Sequence, residues 1–91
     1  MHLTWPPKLV SENLNYTLNW TDALEGSTVV LSTWVIVTTG SGLILGTSSN
    51  SSKITEVWLS SGTPGTVTLR NTITTNINQV FIADVKITIR A

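Results

Sequence analysis

Side chains that can move protons or hold metal ions are scarce in this sequence. His2 is the only histidine, cysteine is absent, and the carboxylates are Glu12, Asp22, Glu25, Glu56 and Asp84. A hydrolytic triad needs a base with a pKa near neutrality, and a structural zinc site needs several thiolates or imidazoles. A single histidine at the second position, expected to be mobile, meets neither need. Asp22 and Glu25 share one turn, where carboxylates lacking a third partner cap and solvate the chain. Gly40-Ser41-Gly42 lacks the spacing of a phosphate-binding loop and reads as a turn. The expectation is a protein that is not an enzyme, with no catalytic residues, no metal and no cofactor.

Residues suited to recognition are better represented. The chain has four tryptophans, a high count for 91 residues. Trp20 and Trp34 lie in phase with apolar neighbours and are expected in the core. Trp58 has the opposite parity to Val57 and Leu59, so it belongs either to the core or to an exposed face. Trp5 precedes Pro6 and Pro7, which favour a stiff extended segment. That segment either projects an aromatic anchor towards a neighbour or folds back over its own domain. The candidate interface is Trp5, Pro6, Pro7, Trp58 and the turn Ser60, Ser61, Gly62, Thr63, Pro64 and Gly65. A competing use of Trp58 or Trp5 is stacking on a sugar.

Strands must position these residues. Between Glu56 and Thr75, two alternating runs flank Ser60–Gly65, with Val57 and Leu59 before it and Val67, Leu69 and Ile73 after it. The pattern predicts a β-hairpin closed by a type II turn at Pro64-Gly65. Leu14, Tyr16, Leu18 and Trp20 alternate with polar residues as in a half-buried strand. Thr21–Gly26 is predicted to turn, with one helical turn capped by Thr21 or Asp22. Thr28–Val37 is apolar on both parities, which predicts burial on both faces, as in a central strand or one crossing between sheets. Leu43–Leu45 predicts a short strand ending at Gly46, and Thr47–Ser52 a polar loop. Asn76-Ile77-Asn78 makes a tight turn. In the last strand Phe81, Ala83, Val85, Ile87 and Ile89 face inwards, opposite Asp84, Lys86, Thr88 and Arg90, and a one-residue slip would bury three charges.

With a short edge strand at Lys8–Val10, these elements make about seven strands with turn signals every eight to twelve residues. The predicted fold is all-β: one antiparallel immunoglobulin-like β-sandwich over residues 8–91, with an extended N-terminal arm over residues 1–7. Ninety-one residues hold one core. Five basic and five acidic residues, scattered along the chain, give no net charge, which argues against nucleic acid as a partner. Near-neutrality favours association, and life inside an assembly, such as a homo-oligomer, is expected. No signal peptide or membrane-length apolar run is visible, so a soluble chain with no membrane partner is expected, and without cysteine its folding in a reducing cytoplasm is unobstructed.

Leu14-Asn15-Tyr16-Thr17-Leu18-Asn19-Trp20-Thr21, Ser32-Thr33-Trp34, Gly42-Leu43, Val57–Gly65 and Asn71–Thr75 together resemble small immunoglobulin-like virion structural proteins of tailed bacteriophages. The likeness spans about Leu14 to Arg90. Ser61 stands where the family pattern has glycine, and Thr47–Ser52 is unusually serine-rich. The resemblance implies a virion protein, folded in the host bacterial cytoplasm before assembly and present as a homo-oligomer or as lattice-organised copies. Its main reading is a capsid decoration or cement protein docked on the major capsid protein or other virion proteins. The alternatives are a tail or fibre component, or a carbohydrate-binding or adhesive module.

Overall fold

The computed structural model describes residues 2–91, and Met1 and the side chain of His2 lie outside it. Expectations placed on the His2 imidazole therefore lie outside the described residues. The elements are β1 (His2–Thr4), β2 (Lys8–Leu9), β3 (Leu14–Asn19), α1 (Thr21–Leu24), β4 (Val29–Ile36), β5 (Leu43–Asn50), β6 (Ile54–Ser61), β7 (Gly65–Thr75) and β8 (Val80–Arg90). One sheet has the order β1-β8-β7-β4, with β2 also on β8, and the other is β3-β6-β5. β1 and β2 run parallel to β8, and every other pairing is antiparallel. This is an immunoglobulin-like sandwich.

The predicted hairpin does not form. β6 pairs with β3 and β5, whereas β7 pairs with β4 and β8, so residues 56–75 arch from one sheet to the other. Val57 and Leu59 meet Val67, Leu69 and Ile73 across the core instead of lying side by side. The connection bends through positive φ at Ser61 (60°), Gly62 (107°) and Gly65 (143°). Gly65 is far from the roughly +80° of a type II turn. The sequential hairpins are β5–β6 and β7–β8, the latter turning through Asn78 at φ 64°.

The inward faces of β3, β7 and β8 follow their alternation as predicted. β4 does not lie centrally but forms an edge, paired only with β7. A bulge between Val29 and Leu31 reverses its parity, so Val29, Trp34 and Ile36 turn inwards while Leu31, Val35 and Val37 stay exposed. Trp34 is half-buried, less than predicted, because nothing covers the edge beside it. β5 continues past Gly46 to Asn50 through a second bulge, so most of the predicted polar loop is strand. α1 forms without a side-chain cap, since Trp20 occupies the N-cap position.

A buried polar cluster ties the sheets together. Asn71 of β7 accepts hydrogen bonds at Oδ1 from Thr55 Oγ1 of β6 (2.7 Å) and from Trp20 Nε1 (3.2 Å). Its Nδ2 donates to Ser32 Oγ and to the Thr33 carbonyl of β4, both at 2.9 Å. All four hydrogen-bonding positions of this amide are satisfied, as complete burial requires.

Candidate interaction surface

The arch between β6 and β7 is held from two directions. On one side, the Thr63 N–H (2.8 Å) and hydroxyl (3.1 Å) both donate to the Ser41 carbonyl, joining it to the β4–β5 connection. On the other, Lys8 sends its ammonium to the carbonyls of Ser61 and Leu9, each at 2.8 Å. Lys8 is fully buried with no carboxylate bonded to it. Burial pushes its pKa below the usual lysine range, while the Glu12 charge acts in the opposite direction. This ammonium secures the left-handed Ser61 to β2. Lys8 and Gly65 also flank β8 at the same residue, Ile89.

One end of the sandwich therefore brings together Ser61–Gly65, Lys8 with the exposed Pro6 and Pro7 that precede it, and the Thr38–Ser41 connection. Between the arch and that connection lies an open cleft of about 170 Å³. A second opening, of about 320 Å³, is lined by Leu24–Ser27, Asn76, Ile77 and Gln79 at the α1 and β7–β8 turns. Neither encloses a convergent set of ionisable groups, and no cluster of potential metal ligands occurs among the described residues.

Trp5 is not an exposed anchor. It is 8% exposed, stacks on Tyr16 at 4.8 Å and meets Trp34 at 5.7 Å. Its N–H donates to the Lys86 carbonyl and its indole N–H to that of Thr17. The segment folds back because the β8 edge offers unpaired backbone groups and the core has room for one more indole beside Tyr16. Burial and the Glu12 charge together raise the Tyr16 pKa.

Trp58 is 38% exposed on the outer face of β6, opposite Asn15 of β3. It flanks Gly46, where an added Cβ would lie 3.2 Å from Trp58 Cβ. Nearby, Glu56 accepts from Asn15 Nδ2. Trp58, Pro6, Pro7, Ser61, Thr63, Pro64 and Gly65 are exposed; Ser60 and Gly62 are partly covered.

Sequence reasoning missed a lateral strip. Residues 26–52 carry no charged side chain. They include β4 and β5, which form the open edges of their respective sheets and approach each other on one side of the sandwich. Val30, Leu31, Val35, Val37 and Ile44 are exposed there. The signal was the spacing of charges, visible before any folding.

The family model described as podophage GP4 fiber-tail adaptor protein gp77 matches residues 8–90. No curated protein matches the sequence. Among solved structures, the PKD domain from the KIAA 1837 protein is similar at TM-score 0.64 and 17% identity, over 94% of this chain and 81% of that one. An endo-fucoidan hydrolase, MfFcnA4 of glycoside hydrolase family 107, is similar at TM-score 0.62 and 14% identity, over 97% of this chain but 12% of the enzyme. A 2,6-sialyltransferase of Vibrionaceae Photobacterium sp. JT-ISH-224 is similar at TM-score 0.53 and 10% identity, covering 98% of this chain and 18% of that one. At such identities the likeness is one of fold alone.

Proposed function

The chain belongs to the podophage GP4 fiber-tail adaptor family, and from that premise we propose that it is a non-enzymatic joint between a tail fibre and the tail. The family match along residues 8–90 is the observation that carries this reading. It favours the tail and fibre alternative over capsid decoration and over the major capsid protein as partner. The geometry agrees with a joint: the arch end offers a shaped, exposed surface of proline, serine, threonine and glycine.

The arch end is the proposed docking site for a neighbouring virion protein. Pro6, Pro7, Ser61, Thr63, Pro64 and Gly65 are exposed there on backbone that Lys8 and Ser41 hold rigid, so little conformational freedom is lost on binding. Trp58, on the outer face of the same strand as Ser61, extends the proposed contact. Repetition around a multi-copy tail would convert modest contacts into firm attachment.

The test is to add purified protein to fibreless tailed particles and to empty heads, reading co-sedimentation and position by electron microscopy. Binding at the tail is expected. Pro7→Lys with Pro64→Lys, both exposed and free of side-chain hydrogen bonds, should weaken it at least tenfold while leaving the melting temperature nearly unchanged. Binding spread over the head lattice would overturn the tail reading, and an unchanged affinity of the double variant would overturn the arch contact.

A further inference from the structure

We propose that the β4 edge is a self-association site, pairing antiparallel with β4 of a second copy across a two-fold axis at Trp34. The inference rests on the edge itself and is independent of the adaptor reading.

Edge strands expose unpaired N–H and C=O groups, and folded proteins usually protect them with charge, proline or a strong twist. β4 has the sequence Val29-Val30-Leu31-Ser32-Thr33-Trp34-Val35-Ile36, with neither charge nor proline, and is regular after its bulge. The Val37 N–H bonds the Thr68 carbonyl at 2.8 Å, and the register continues Ile36↔Leu69. In an antiparallel ladder hydrogen-bonded positions alternate, so Leu31, Thr33, Val35 and Val37 bond towards β7. The backbone groups of Ser32, Trp34 and Ile36 therefore point outwards along the open edge.

A two-fold axis at Trp34 makes Trp34 a hydrogen-bonded pair with its counterpart and pairs Ser32 with Ile36, for about six backbone bonds. On the outer face the same register sets Leu31 beside Val37 and Thr33 beside Val35. These are the apolar and β-branched cross-strand pairs that stabilise sheets, and the first of them brings together side chains now exposed to water. The strip is also electrostatically self-compatible: residues 26–52 carry no charge, so no like charges meet across the axis. β5, the neighbouring edge, is a poorer candidate, since a bulge interrupts it and Ser48, Ser49 and Asn50 follow.

The area fits a reversible dimer. Eight residues span about 27 Å, and the domain is 19–20 Å across its short axes. Roughly 500 Å² per copy, or roughly 1,000 Å² in all, reaches the lower limit for a specific interface.

Sedimentation equilibrium from about 1 µM to about 1 mM should show monomer and dimer, with a dissociation constant between roughly 1 and 500 µM. Thr33→Lys with Val35→Lys, both on the exposed face, should remain monomeric throughout while melting like the parent. Thr17→Lys with Thr66→Lys, placed elsewhere on the surface, should dimerise like the parent. In the absence of native cysteine, mixing Thr33→Cys with Val35→Cys under mild oxidation should give mainly the mixed disulfide. A parent that stays monomeric at 1 mM, a lysine variant that dimerises unchanged, or predominance of same-residue disulfides would overturn the proposal.

Discussion

Replacing Asn71 tests whether one buried amide holds the two sheets in register. In Asn71→Ala the Thr55 hydroxyl loses its acceptor at 2.7 Å, and the Trp20 indole keeps only Thr55 Oγ1, at 3.2 Å. The Ser32 hydroxyl and Thr33 carbonyl lie in a partly exposed strand and can turn to water. Two buried groups are thus left wholly or partly unpaired, each costing about 1–2 kcal/mol, and the truncated side chain leaves a void worth about 1 kcal/mol more. The sum is about 3–5 kcal/mol. A domain of this length has about 5–14 kcal/mol in all. Urea unfolding followed by tryptophan fluorescence, with a slope of about 1 kcal/mol/M, should show the midpoint falling by about 3–5 M. A cycle with Thr55→Val should give a coupling of at least about 1 kcal/mol, because removing Thr55 removes the group that Asn71→Ala would strand. Asn71→Leu fills the volume but not the hydrogen bonds and should be destabilised by a similar amount. If Asn71→Leu unfolds within 1 kcal/mol of the parent, or the coupling vanishes, the cluster is not what joins the sheets.

Lys8 and Gly46 give two further expectations. The folded pKa of Lys8 lies below its ordinary 10.5, so between those values the unfolded chain binds more protons and the residue's contribution to stability rises with pH. Subtracting the stability of Lys8→Met at each pH cancels the opposing effect of Tyr16, whose raised pKa makes stability fall above about pH 10; a flat difference between pH 7 and 11 would contradict the burial of the ammonium. Gly46→Ala forces β5 away from β6, because its Cβ would lie 3.2 Å from Trp58 Cβ and 3.3 Å from the Trp58 carbonyl oxygen. The cost should be about 1–3 kcal/mol in urea unfolding. It should persist in a Trp58→Ala background, since the clash involves no indole atom.

Much of the sandwich was legible from local pattern. Alternation identified the inward faces of β3, β7 and β8, and the turn at Asn76–Asn78 followed from residue types that tolerate positive φ. The single histidine and the absence of cysteine leave the sequence few groups suited to catalysis. The candidate surface was only partly legible. Trp58 was poised between core and face by its parity, and the structure exposes it. Trp5 looked like an anchor beside two prolines, yet it fills a space between Tyr16 and Trp34 that no local pattern reveals.

The sequence by itself determined which side chains of most strands turn inwards, because a strand's two faces alternate whatever lies beside it. Only the tertiary structure decided which strands pair. Val57, Leu59, Val67, Leu69 and Ile73 show the same alternation in a hairpin as in an arch, since both sheets of a sandwich face one core. Partner choice is a long-range matter: it depends on how Ser61–Gly65 cross between the sheets and on the amide of Asn71 meeting Thr55 of the opposite sheet and Trp20 at the end of β3. Likewise, apolar residues on both faces of β4 predicted burial, but only the strand order showed an uncovered edge.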